Sequence, residues 1–140
     1  KLLNFRLTND AINKGAFYDL MWVNPWYSNF DPQYVYAFLR YHNEERLLVV
    51  VNFNLNESRY CEVKIPQDAL EYMRLQVNES TSQQVESQSC KVAKSQSLGS
   101  ELNYATDVMT GDKIEYNLNE ISSRGIAMSI DAAGFRIIKL

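Results

Sequence analysis

The chain has 140 residues and a formal net charge of −3, and 46% of its residues are hydrophobic, as in an ordinary globular domain with one core. The net charge is acidic, and the sequence shows no stripe of basic residues. No apolar run approaches the roughly 20 residues that are needed to cross a membrane. We therefore expect neither nucleic acid nor a membrane as a partner.

Cysteine and histidine are too sparse for the common metal and redox sites. Cys61 and Cys90 lie far apart without CxxC spacing, and His42 is the only histidine. We expect no metal and no cofactor, and both a disulfide and two free thiols fit the two cysteines. The chain starts at Lys1 and shows no signal peptide, so we expect a piece of a longer protein whose compartment is unknown.

The N-terminal residues predict a short helix that leads into a first strand. Apolar residues recur at partly helical spacing in residues 1–13, and Gly15 suits a left-handed helix end. Residues 16–23 are aromatic and apolar, which indicates a strand that Asn24 and Pro25 bring to an end.

A β-hairpin is the clearest element of the sequence. Residues 35–41 are β-branched and aromatic, residues 42–45 are polar, and residues 46–53 are almost wholly apolar. Both runs are apolar on both faces, whereas a strand of a sandwich normally exposes one face to solvent. We expect the second face to be covered only in part within the chain, which leaves an apolar patch of a few hundred Å².

The rest of the chain adds shorter strands. Residues 59–65 alternate between polar and apolar, with Cys61, Val63 and Ile65 on the inner face, and a helical turn follows. After a Ser- and Gln-rich segment, further strands are expected over 104–109, 113–117, 126–130 and 135–140. The predicted class is all-β: an antiparallel, Greek-key-like β-sandwich of about seven or eight strands with a short N-terminal helix.

Several motifs in this order resemble one known domain. YAFLRY followed by LLVVVNF is similar to the hairpin that opens the C-terminal β-domain of α-amylase-family glycoside hydrolases. DVMTGDKIEY and IDAAGFRIIKL resemble later strands of that domain. The resemblance implies that residues 1–15 are a helical lead-in from a missing catalytic barrel, that residues 16–140 form the β-sandwich, and that a polar insertion lies near 76–102.

The resemblance also implies a role. In that family the domain packs against its own catalytic barrel, shields the apolar surface of the barrel and in some members binds oligo- or polysaccharide such as starch. The short motifs around the family's catalytic carboxylates are absent here, so no residue is assigned as catalytic and we expect no enzyme activity from this chain. The parent would be an α-amylase-type glycosidase, and export to the periplasm or the outside of the cell is compatible with it.

The acidic residues fit solvated turns and polar faces rather than a catalytic pair. Those we expect at the surface are Asp31, Glu44, Glu45, Glu57, Asp107, Asp112 and Asp131.

Aromatic residues give the one hint of a binding site. Ten of the 17 aromatic residues fall between Phe17 and Tyr41. Trp22, Trp26 and Tyr27 surround a predicted loop, where exposed rings could stack on sugars. The other interpretation is core packing or an inter-domain face, since aromatic side chains bury large areas.

A free-standing carbohydrate-binding or adhesion module of immunoglobulin-like build is the alternative function. The N-terminal helix distinguishes the two, because a free module does not need an amphipathic lead-in.

Overall fold

The computed structural model describes residues 1–73 and 102–140. Within these ranges the chain forms eight strands: β1 (Ala16–Asp19), β2 (Val35–His42), β3 (Glu45–Asn52), β4 (Arg59–Val63), β5 (Leu102–Asp107), β6 (Lys113–Asn117), β7 (Ile126–Ile130) and β8 (Phe135–Lys139). The helices are α1 (Leu2–Thr8) and α2 (Asp10–Asn13), residues 67–73 are helical, and a 3₁₀ turn occupies Asn24–Trp26. No helix in the described ranges is long and apolar enough to span a membrane.

The strands form two sheets around a shared core. The large sheet has the strand order β1-β2-β3-β8-β5-β6, and the small sheet pairs β4 with β7. Every pairing is antiparallel. Leu39 and Val50 of the large sheet lie in the same buried cluster as Val63 and Ile130 of the small sheet. The predicted all-β antiparallel fold with a short N-terminal helix is confirmed.

The predicted hairpin is also confirmed. β2 and β3 pair from Val35 opposite Asn52 to His42 opposite Glu45. Its turn is tighter than the expected four residues, because the pairing of His42 with Glu45 leaves a two-residue loop. Asn43 makes this possible: its φ of 55° is left-handed, and Asn tolerates that conformation better than most residues.

The N-terminal segment contains two helices rather than the single helix expected. Asn9 has extended backbone, and its Oδ1 accepts the N–H of Ile12 at 2.9 Å, which caps α2. Gly15 lacks the expected left-handed conformation. It allows a close backbone approach instead, because a Cβ at this position would lie 2.7 Å from the carbonyl oxygen of Tyr41.

Two strands end earlier than expected. The first, predicted over 16–23, stops at Asp19, whose Oδ1 accepts the N–H of Met21 at 2.9 Å and so begins a turn. β4 stops at Val63. The hairpin of β5 with β6 and the helical turn after β4 are confirmed. β7 and β8 flank the turn at residues 131–134 but pair in different sheets.

Cys61 is fully buried in the core with a free thiol. Burial raises the pKa of this thiol to about 12, so the sulfur stays protonated and unreactive at neutral pH. Cys90, the other cysteine, lies outside the described residues. So does the polar insertion predicted near 76–102, except for Leu102, which begins β5.

Candidate functional site

The loop after β1 is tied to β4 by one buried side chain. Asn24 is fully buried, and its Nδ2 donates to the carbonyl oxygens of Leu20 and Lys64, both at 3.0 Å. Its Oδ1 accepts the N–H of Lys64 at 2.8 Å. Pro25 fixes the backbone at the start of the 3₁₀ turn. The side-chain amide of Asn24 therefore makes the same pair of hydrogen bonds to Lys64, at the end of β4, that a backbone amide group of a neighbouring strand would make.

Two tryptophans project from this loop. Trp26 is 83% exposed and Trp22 is 56% exposed. The Trp26 indole N–H donates to the Trp22 carbonyl oxygen at 3.1 Å, which holds the outer ring in place. The ring of Trp22 lies 6.5 Å from that of Tyr18, whose hydroxyl donates to Asp68 at 2.6 Å. Burial and then this hydrogen bond raise the pKa of Tyr18 to about 12.

Tyr27 completes the exposed aromatic group. The ammonium of Lys64 lies 3.2 Å from the centre of the Tyr27 ring, a cation–π contact that orients both side chains. The structure thus places Trp22, Trp26 and Tyr27, hereafter the platform, on one loop and outside both buried clusters. Core packing is therefore not their role in the described chain.

The outward face of β4 lies beside the platform, and sequence reasoning did not include it in the site. Tyr60 is 56% exposed, and its hydroxyl donates to Glu62 at 3.0 Å. The N–H of Glu62 donates to the carbonyl oxygen of Asn29 at 3.0 Å. Hydrogen bonds from the side chain of Asn29 and then from Tyr60 lower the pKa of Glu62. The predicted alternation of residues 59–65 puts Tyr60, Glu62 and Lys64 on the face opposite the inner one. Their contact with the loop depends on tertiary structure, which the alternation does not record.

The helices cover the opposite side of the large sheet, hereafter the outer face. Leu47, Val49 and Ile137 are buried there together with Ala11 of α2. Arg40 fastens α2 to the sheet, because its guanidinium donates to the carbonyl oxygens of Ala11 and Ile12 in the helix.

The cover of the outer face is incomplete. Leu3 and Leu7 lie one turn apart on α1 and are 68% and 70% exposed. Phe17 is exposed, and its ring lies 5.2 Å from that of half-buried Phe38. α1 contains no buried residue, although four of its seven residues are apolar. These exposed residues belong to α1 and β1, whereas no apolar residue within β2 or β3 is exposed. The apolar patch of a few hundred Å² expected on the hairpin itself therefore stays a prediction.

Comparison with known proteins decides the family. A model of the α-amylase C-terminal all-β domain matches residues 26–104, more than half of the chain. The chain belongs to this family. The crystal structure of AmyP in complex with maltose has the same fold, with a TM-score of 0.55 at 11% identity. That match covers 99% of this chain but only 18% of the AmyP chain. No curated protein matches.

In the LLVVVNF run that resembles the family motif, Asn52 has a structural role in this α-amylase C-terminal domain. Asn52 is almost fully buried, and its Nδ2 donates to the carbonyl oxygens of Glu57 at 2.9 Å and Asp131 at 3.0 Å. Its Oδ1 accepts the N–H of Asn54 at 3.0 Å. The side chain therefore joins the β3–β4 connection to the turn between β7 and β8.

Asp107 corrects the expectation that the acidic residues of this α-amylase domain lie at the surface. It is fully buried, its Oδ2 lies 2.9 Å from Nη1 of Arg136, and its Oδ1 accepts the N–H of Met109 at 2.8 Å. Arg136 also donates to the carbonyl oxygen of Ser129, so this ion pair links β5 and β8 to β7. These contacts explain the buried carboxylate as a structural group. In the described ranges no cluster of His, Cys, Asp or Glu could hold a metal ion.

Proposed function

We propose that this chain is the non-catalytic accessory domain of an α-amylase-like glycoside hydrolase and that its outer face packs against the catalytic barrel. The family match supports the accessory role, since it concerns the C-terminal all-β domain alone. The small share of the AmyP chain that this fold occupies also fits a domain of a larger enzyme. Residues 1–15 then form the lead-in from the barrel, and residues 16–140 form the β-domain.

The observation that carries this proposal is the unfinished packing of α1. A seven-residue helix is too short to be stable in water on its own and depends on the burial of its apolar side. Here Leu3 and Leu7 remain mostly exposed. A barrel surface seated on α1 and on the neighbouring Phe17 would bury these side chains, at about 1.5–3 kcal/mol for each leucine.

The test is a comparison of the same substitutions in two settings. Leu3→Glu with Leu7→Glu should change the unfolding free energy of the 140-residue chain by no more than about 0.5 kcal/mol. In the parent enzyme the pair should cost about 3 kcal/mol or more, measured by denaturation and by release of the domain in limited proteolysis. Leu55→Glu is the matched control, since Leu55 is equally exposed in a distant loop. Equal effects in both settings contradict the docking.

The platform supports a second role, contact with oligo- or polysaccharide. The C–H face of a sugar ring packs on flat aromatic rings, and binding sites combine such rings with a few polar groups. Trp26 is the most exposed large apolar residue in the described chain, yet a hydrogen bond fixes its ring. AmyP, which shares the fold, forms a complex with maltose.

Calorimetric titration with maltooligosaccharides tests this role. Trp26→Ala should weaken binding about tenfold, and Trp22→Ala somewhat less, because one stacked aromatic contact is worth about 0.5–1.5 kcal/mol. Phe53→Ala removes an exposed ring outside the platform and should change nothing. If the wild-type chain binds no oligosaccharide, the sugar-binding role is wrong.

The accessory role further predicts that the chain releases no reducing sugar from starch. An activity that one acidic-residue substitution abolishes would contradict it. The alternative, a free-standing carbohydrate-binding or adhesion module, is favoured if the gene encodes no barrel before Lys1.

A further inference from the structure

The aromatic surface of the platform continues along β4. Lys64 touches the Tyr27 ring, and Glu62 and Tyr60 follow at alternate positions on the same outward face of the strand. Alternate residues of an extended chain are about 7 Å apart, so Tyr60 lies about 13 Å from Lys64, the residue that follows β4. Asn29 bonds to Glu62 and closes the gap between loop and strand. The combined strip is longer than one sugar ring.

The polar groups of this strip suit a neutral, hydroxyl-rich ligand. Glu62 and Lys64 carry opposite charges two residues apart, so they give the strip no net charge. A phosphate backbone or an anionic membrane surface would require a cluster of cations there. A carboxylate accepts hydrogen bonds and an ammonium donates them, so the pair can bond sugar hydroxyls in both senses.

The Tyr60 side chain is preorganised for such a ligand. Its hydroxyl is bonded to Glu62, which fixes the ring on the strand and holds the carboxylate beside it. The strand supplies a rigid base, since β4 pairs with β7 along its whole length. Side chains held in place before binding lose little conformational entropy when a ligand arrives.

We propose that Tyr60, Glu62 and Lys64 form a second subsite, so that the domain binds an internal segment of a neutral oligosaccharide chain across the platform and β4 rather than a single sugar. This inference rests on the proposed sugar contact of Trp22, Trp26 and Tyr27. It adds a ligand length and three residues to that contact.

The experiment titrates the 140-residue chain with maltose, maltotriose, maltopentaose and maltoheptaose. Affinity should rise with length and then level off once both subsites are filled. Tyr60→Ala should weaken maltoheptaose binding about fivefold and maltose binding less than twofold, since only the long ligand reaches the second subsite. Trp26→Ala should weaken both. Tyr104→Ala is the matched control, because Tyr104 is equally exposed on β5.

A second variant separates the ring from its hydroxyl. Tyr60→Phe keeps the stacking surface but releases Glu62, so it should fall between wild type and Tyr60→Ala for maltoheptaose. Circular dichroism and urea denaturation check that each variant is folded.

Three results would overturn the second subsite. They are an affinity that does not depend on length, an equal loss for maltose and maltoheptaose in Tyr60→Ala, and a weakened domain–barrel association in Tyr60→Ala without any effect on sugar. In the first two the platform still binds sugar and the proposed function stands. If the wild-type chain binds no oligosaccharide, both the second subsite and the sugar-binding role of the platform are wrong.

Discussion

The platform and the outer face both expose apolar side chains, but the chain holds them in different ways. The Trp26 ring is held by a hydrogen bond and the Tyr27 ring by a cation–π contact, on a loop that buried Asn24 anchors. Leu3 and Leu7 are aliphatic and stand on a seven-residue helix without a buried residue. A rigid surface suits a small ligand, whereas a weakly held aliphatic one gains its order from a protein that covers it.

Removal of the platform's anchor should have the largest effect. Asn24→Ala leaves the N–H of Lys64 and two carbonyl oxygens without their partner, which should cost about 3 kcal/mol of unfolding free energy. Urea denaturation measures the loss, and sugar binding should weaken with it because the tryptophans lose their support. Asn119→Ala, at an exposed turn, should stay within about 0.5 kcal/mol of wild type. If the unfolding free energy of Asn24→Ala equals that of wild type, contacts other than those of Asn24 hold the platform in place.

Hydrogen exchange should separate the two regions without any mutation. The amide of Lys64, bonded to buried Asn24, should exchange at least about 100-fold more slowly than the amide of Leu7 in α1. In the parent enzyme the protection of Leu7 should rise, because the barrel would then cover α1. If α1 is already protected in the 140-residue chain, it needs no partner and the contrast between the two surfaces disappears.

The smallest expected effect is a pH dependence on the platform side. The pKa of Tyr18 is raised from 10.0 to about 12, so the folded chain holds this proton more tightly than the unfolded one. The stabilisation is complete below pH 10 and is lost as pH rises through about 12. Tyr18→Phe should therefore reduce the alkaline loss of stability. Denaturation midpoints at pH 8, 10 and 11 measure the difference, and parallel curves for wild type and Tyr18→Phe would rule it out.

Local patterns predicted much of the fold because they record which side of a strand is buried. The alternation in β4 placed Cys61, Val63 and Ile65 inside, where they are found. The boundaries that failed were set by single side chains that compete for backbone hydrogen bonds, as Asn9 does between the two helices and Asp19 does after β1.

Contacts between distant segments were beyond the sequence patterns. The three platform residues were predicted together because one loop carries them. Tyr60 was missed because nothing in its own strand records that Asn29 lies next to Glu62. The sequence pattern likewise did not indicate that β7 and β8, which follow one another along the chain, belong to different sheets. Asp107 was expected in water because its partner, Arg136, is distant in the sequence.

The position of β8 has a consequence for how this domain is made. β8, the last strand that the structure describes, lies in the middle of the large sheet between β3 and β5, and no other strand of residues 1–73 and 102–140 joins the two halves of that sheet. During synthesis β1 to β3 therefore wait with an unpaired edge until residues 135–139 leave the ribosome. Such a high contact order slows folding and leaves an edge that can pair with another nascent chain. A short peptide with the sequence of β8 should accordingly bind to the growing chain and interfere with its folding.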